Sequence, residues 1–297
     1  MERMAATPWR LPLRTWRLVA GRAWREANDD NIGLVAAGVA FYGFLALVPL
    51  LASFVLLYGF FADPADVARD MRGLTGLVPT QAAELIGEQL LGVVRSSAET
   101  KGLGLLLALA LALWAARNGA AAIVTALNIA YEVKETRSFL RTNALALLIT
   151  GAAILIGLAA LYAVAALGHL QAALPGLPGW MLALAKGAAY PVLVLGGAAG
   201  AATLYRYAPD RPKARWVWLE PGSLLAALLW LLLTIGFGLY AAGIGDYGAT
   251  YRSLSAVVVL LTWLYLSGYV LLLGAELNSE LEAFASRETR QEARVRG

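Results

Sequence analysis

Six long stretches of this chain contain no Asp, Glu, Lys or Arg: Ile32–Ala62, Gly102–Ala116, Asn143–Met181, Gly187–Tyr205, Pro221–Gly245 and Ser253–Ala275. A helix needs about 20 apolar residues to cross the hydrocarbon of a bilayer. An apolar run of about 18 or more reads as a spanning helix and not as a core helix. Spanning barrel strands alternate apolar and polar residues over ~10 positions, whereas "ALALLITGAAILIGLAALYAVAALG" is apolar on every side. The chain is therefore expected to be an all-α, polytopic membrane protein. Only 15% of its residues are charged, against about 25% in soluble domains.

Six spans are predicted, at Leu34–Phe61, Leu103–Val124, Ala144–Leu167, Leu182–Tyr205, Gly222–Ala242 and Leu254–Leu273. This divides the chain into a basic segment (1–33), a six-helix transmembrane domain (34–275, with an outer connection at 62–101) and a charged tail (276–297). The "GHLQAALPGLPGW" stretch breaks the helix between spans 3 and 4 through its Pro and Gly residues. Cysteine is absent, which excludes disulfides, thiolate nucleophiles and cysteine metal sites. The N-terminal segment lacks the short apolar core of a cleaved signal peptide, so the first span is expected to direct insertion.

Basic residues in short flanks set orientation. Arg3, Arg10, Arg14, Arg17, Arg22 and Arg25 precede span 1. Lys134, Arg137 and Arg141 follow span 2, Arg206, Arg211, Lys213 and Arg215 follow span 4, and Arg287, Arg290, Arg294 and Arg296 lie in the tail. With six spans these segments share one side, and both termini are expected in the cytoplasm. In "TWRLVAGRAWREA", Trp16, Ala20, Ala23 and Ala27 recur at helical spacing, with Arg14, Arg17 and Arg25 on another side. That pattern predicts a basic interfacial helix, followed by Asp29, Asp30 and Asn31 as N-capping residues of span 1. In the outer connection, Ile86, Leu90, Val93 and Val94 form one face and Glu84, Glu88 and Arg95 another, predicting a second amphipathic helix.

Polar residues within the spans carry the functional expectation. Arg117 lies about 22 Å into span 2 from its outer end. Asn118, Thr125, Asn128, Glu132 and Glu135 fall on the same helical face. On span 6, Ser255, Thr262, Tyr265, Tyr269 and Glu280 cluster around Glu276. These stripes are expected to face other helices or a water-filled cavity, with Arg117, Asn118, Thr125, Asn128, Thr262, Tyr265, Tyr269 and Glu276 as cavity-lining residues. An Arg117–Glu276 ion pair is expected between them. Ser223, Ala227, Thr234, Gly238, Ala241 and Gly245 on span 5, and Gly196 and Gly200 at GxxxG spacing on span 4, read as close-packing surfaces. They could serve contacts within one chain or between copies, so a homo-oligomer or an envelope-protein partner stays open. Pro49 and Pro191 are expected to kink their helices. Lys186 reads as snorkelling, and His169, the single histidine, as a solvent or interface residue.

Four segments together resemble the YihY/BrkB family of bacterial inner-membrane proteins. They are "AAGVAFYGFLALVPLL" (36–51), "ALNIAYEVKETRSFLR" (126–141), "YRYAPDRPKARW" (205–216) and "GDYGATYRSLSAVVVLLTWLYLSGYVLLLGAELNSELE" (245–282). The resemblance implies a six-helix inner-membrane protein with cytoplasmic ends. Members have carried a ribonuclease label, a link to serum resistance and virulence, and proposals of solute or lipid transport. Metal-assisted phosphodiester cleavage wants clustered acids or histidines, and the acids here sit beside basic membrane ends. No P-loop motif is present. The expectation is a transporter without a cofactor or nucleic-acid partner, moving an anionic lipid or an amphiphilic or small anionic solute through a polar cavity open to the cytoplasm. Anionic lipid would gather at that face. A non-transporting scaffold is the alternative.

Overall fold

The computed structural model describes residues 9, 11–58, 103–173, 179–211, 220–243 and 252–296, without the side chains of 54–56, 58, 105, 160–173, 179–190, 240–243, 252–256 and 288–296. The described chain is helical throughout: α1 (Leu13–Asp29), α2 (Ile32–Tyr58), α3 (Leu103–Ala130), α4 (Phe139–Ala173), α5 (Gly179–Tyr207), α6 (Pro221–Gly243) and α7 (Arg252–Arg296). Five of these, α2, α3, α4, α6 and α7, have the length and hydropathy to cross a membrane. The outer connection 62–101, the turn between spans 3 and 4, and the side chains of His169, Lys186 and Ser255 lie outside the described residues.

Neighbours follow an ordered series. α2 packs most extensively on α3, α6 on α7, α2 on α7, α5 on α6, and α3 on α4. The sequence of contacts is thus α4–α3–α2–α7–α6–α5, and the two ends of the series, α4 and α5, make little contact among the described residues.

α1 forms where an amphipathic helix is expected and packs one side on α7. Its buried residues are Val19, Ala23 and Ala27, and Val19 and Ala23 pack on Leu277 and Leu281 of α7 with Trp16 and Phe284 alongside. Ala20 is exposed. The helix is amphipathic as predicted; part of its apolar surface meets protein, while Leu13, Leu18 and Trp24 stay exposed. No side chain of Asp29 or Asp30 caps α2. Instead Asn31 turns the corner with φ 53°, donates from Nδ2 to the Asp29 carbonyl at 3.0 Å, and accepts from the amides of Leu34 and Val35. Asn tolerates this left-handed conformation because its short polar side chain bonds locally. At the far end of α3, Glu132 also has positive φ (52°). The Val133 amide donates to the Asn128 carbonyl at 2.9 Å, closing the helix in a Schellman turn.

The helices run unbroken through Pro49 and Pro191. Ser53 Oγ donates to the Pro49 carbonyl at 2.9 Å. The small residues of α5 do not all serve packing. A Cβ built on Gly196 or Gly200 would meet nothing within 4 Å, and one on Gly197 would touch Ala227 at 3.5 Å. The tight crossing lies elsewhere, between α6 and α7. A Cβ on Gly274 would sit 2.5 Å from the Gly222 carbonyl oxygen, 2.6 Å from the Tyr205 hydroxyl and 2.9 Å from Ala226 Cβ.

Candidate functional site

Between the spans lies a cavity of about 560 Å³. Each of α2 to α7 contributes to it, including Gly43 and Ala46, Ala116 and Gly119, Ile149, Gly200, Trp230 and Leu271. Small residues build it by leaving space where larger side chains would meet. Its walls are apolar apart from a few groups such as Thr150 and Ser267. Thr150 satisfies its own hydroxyl on the Ala146 carbonyl, while Ser267 Oγ is buried without a partner. None of the expected polar residues lines this cavity. A smaller pocket of about 450 Å³ between α2 and α3 takes in Asn118 and Thr125, with Tyr42 opposite.

The other expected residues separate. Arg117 is half-buried, with its guanidinium 4.1 Å from the centre of the Trp114 ring and Nε unpartnered. Among the described residues the ion pairs are Arg137–Glu135, Arg137–Asp210 and Arg211–Glu282. The expected Arg117–Glu276 pair is not formed: Arg117 stacks on its own helix, and the charged groups around Glu276 are the acids Asp30, Glu26, Glu132 and Glu280. Thr125 and Thr262 spend their hydroxyls on carbonyls one turn back, those of Ala121 and Val258. Tyr265 and Tyr269 pair at 6.3 Å and pack against the main core with Ile32, Leu127 and Tyr205.

Asn128 is buried for a different reason. Its Nδ2 donates to Glu135 Oε2 at 2.9 Å, and its Oδ1 accepts from the Asp210 amide at 2.8 Å. The Asp210 carboxylate accepts from the Thr136 amide and hydroxyl at 2.6 and 2.5 Å. Arg137 donates to Glu135 from Nε and Nη2, and from Nη2 to the Ala208 carbonyl at 2.8 Å. The loop after α3 and the loop after α5 are thereby clasped together. Arg211 adds a second lock: its guanidinium lies 3.9 Å from the Tyr131 ring centre, bonds the Tyr205 carbonyl and pairs with Glu282 of α7. Beside it, Tyr205 Oη donates to the Leu271 carbonyl at 2.6 Å. Asn278 accepts from the Gly222 amide at 2.8 Å and donates to Glu220 at 2.7 Å. Burial first, and then the Glu282 charge, push the Glu220 carboxyl up to about 7.

A family model described as "Virulence factor BrkB" matches residues 23–296. The chain belongs to the BrkB family. Relatives include the "Putative ribonuclease-like protein YfkH" of Bacillus subtilis (strain 168), 29% identical over 83% of this chain and 88% of that protein. A UPF0761 membrane protein of Tolumonas auensis is 30% identical over 87% of this chain and 83% of its own length. Another, PSHAa0171 of Pseudoalteromonas translucida, is 28% identical over 84% and 81%. No solved structure matches the chain.

In this BrkB-family chain, two of the segments that carry the resemblance, 126–141 and 205–216, hold the two sides of the clasp. Sequence reasoning placed Asn128 on a stripe but missed Thr136, Tyr205, Asp210, Glu220, Gly222, Gly274 and Asn278. An amide at 278 beside single glycines at 222 and 274 was the available signal for a close crossing.

The clasp predicts a local effect. The hydrogen bonds from Thr136 hold the Asp210 carboxyl below its ordinary value, and the bond from Arg137 does the same for Glu135. A depressed carboxyl contributes stability that is full above its unfolded value and is lost as pH falls through the folded one. Asp210→Ala removes both hydrogen bonds of the exposed Thr136, each worth about 0.5–1.5 kcal/mol net. Hydrogen exchange at the Thr136 amide should show a protection factor at least about tenfold lower. In the wild type that protection should fade as pH drops below about 4. Unchanged protection in Asp210→Ala would show that the clasp carries no local stability.

Proposed function

We propose that this multi-pass membrane protein binds an amphiphile with a hydrocarbon chain in its intramembrane cavity and carries it across the bilayer. The single observation behind this is the apolar, roughly 560 Å³ space bounded by α2 to α7. Ligand sites of about 300–1,000 Å³ with mostly apolar walls suit drug-sized or acyl-chain ligands, and a small solvated anion gains nothing from such walls. The thin contact between α4 and α5 supplies a lateral route for a chain arriving from lipid. Exposed Leu148 and Ile156 on α4 and Val192 and Leu195 on α5 offer it an apolar approach.

We read α5, with 29 residues and so about 44 Å long, as a sixth span. We place the clasped end and both termini on the cytoplasmic side of a bacterial inner membrane, on the basic residues that flank the spans there. Basic flanks at that end attract anionic headgroups at about 1 kcal/mol per residue. Arg117, with Nε unpartnered and in the same turn as cavity-lining Ala116 and Ala120, is suited to receive one. The ribonuclease in the YfkH name is not carried over to this chain.

The test is reconstitution into liposomes holding a fluorescent-headgroup phospholipid, with a membrane-impermeant quencher reporting which leaflet the label occupies. Protein should speed the exchange, and Arg117→Ala should slow it for anionic more than zwitterionic headgroups. Exchange equal to that of protein-free vesicles would remove the transport reading. The clasp favours a second reading, a rigid platform for partner helices, and that outcome would leave it standing.

A further inference from the structure

Apart from the cavity and the clasp, one cluster of side chains has no structural partner. Where α1, the α1–α2 corner, the end of α3 and α7 meet, five acids converge: Glu26, Asp30, Glu132, Glu276 and Glu280. Glu276 is 2% exposed and Glu280 7%. Glu276 Oε1, Glu280 Oε2 and Asp30 Oδ2 are each buried without a hydrogen-bond partner. The charged groups acting on Glu276 from α1, from the corner, from the end of α3 and from its own helix are all acids. Two bases of this end are engaged elsewhere, Arg137 with Glu135 and Asp210 and Arg211 with Glu282. On the α6 side, Glu220 is turned to Asn278.

A buried carboxylate with neither a hydrogen bond nor a countercharge costs several kcal/mol. A bound proton removes that cost by removing the charge. Among the described residues, no three acids or histidines are grouped so that they could hold a metal ion. The smallest cation needs no such grouping. We propose that Asp30, Glu276 and Glu280 form a proton-binding site, filled from water through the outlying acids of α1. Binding forms an O–H bond on one carboxylate oxygen, which can then donate to a neighbouring carboxylate; release returns the proton to solvent. Exposure is graded along the route. Asp29 is exposed, Glu26 and Asp30 are intermediate, and Glu276 is buried. Burial, followed by neighbouring acids, raises the Asp30 and Glu26 carboxyls from their ordinary values, in keeping with a route along which protons dwell. Glu132 joins the group from a left-handed backbone position, φ 52°, where a glycine would sit with less strain.

The site is independent of what the cavity carries, so its test is direct. Full-length protein in lipid nanodiscs is titrated while infrared absorption follows the C=O stretch of protonated carboxyl groups. The wild type should show this band at pH 7, vanishing at alkaline pH. Glu276→Gln should lose at least half of its amplitude. Asp30→Asn, on the facing element, should give a second reduction and serves if Glu276→Gln does not fold. A wild type with no protonated-carboxyl band at pH 7 would overturn the proposal. So would a band undiminished in both variants, or one displaced at fixed pH by sodium or calcium chloride, which would make the site a metal site.

Discussion

Gly274→Ala should lower the melting temperature of the purified protein by roughly 5–10 °C and cut the yield of monodisperse material. The added methyl would fall 2.5 Å from the Gly222 carbonyl oxygen and 2.6 Å from the Tyr205 hydroxyl, distances that real Cβ contacts do not show. The carbonyl belongs to a helix backbone and cannot swing away, so α6 and α7 must separate. That separation loosens the Gly222 amide from Asn278 and the Tyr205 hydroxyl from the Leu271 carbonyl. Overpacking alone costs about 1–3 kcal/mol, and each buried polar group left unpaired adds about 1–3 kcal/mol. For a protein of this size each kcal/mol moves the midpoint by roughly 2–4 °C. Gly197→Ala is the control, because its methyl meets only Ala227 at 3.5 Å. It should melt within about 2 °C of the wild type. If Gly274→Ala melts with Gly197→Ala, the crossing is not the constraint described.

The second large effect is on activity with the fold intact. Gly43 and Gly200 line the cavity from α2 and α5, and a Cβ on either meets nothing within 4 Å. Leucine at both positions would add bulk at the cavity wall, starting from a Cβ that meets nothing. Leucine is also a better helix former than glycine by about 0.5–1 kcal/mol per site. The Gly43→Leu/Gly200→Leu variant should therefore melt no lower than the wild type while losing at least about tenfold in lipid exchange. Lost exchange with lost stability would point to general damage. Retained exchange in a stable variant would show that the cavity is not the route.

The spans were legible because hydrocarbon imposes one demand along their whole length. Apolar runs located α2, α5 and α6 to within about three residues and α3 and α4 to within about six. They misplaced the end of α7, expected at Leu273 but reaching Arg296. An apolar run marks where lipid ends, whereas helix propensity carries the backbone on through "ELNSELEAFASRETRQEARVR". The polar stripes gave directions of side chains but not neighbours. Arg117 was therefore matched to Glu276 on depth alone, while the fold pairs Arg137 with Glu135 and Asp210 and Arg211 with Glu282. The Asn128–Asp210 contact joins residues 82 apart. It exists only because α3 and α5 end at the same level, which no local pattern states. The cavity was hidden for a related reason: a glycine that permits close contact and one that leaves space look identical in a sequence.

α7 has a mechanical consequence of its own. At 45 residues it is about 68 Å long, more than twice the roughly 30 Å hydrocarbon thickness. One continuous rod thus borders the lipid-embedded chamber and extends well beyond the bilayer. Because the helix is continuous, its embedded and projecting halves are parts of one lever, and a shift of either is transmitted to the other through the backbone hydrogen bonds between them.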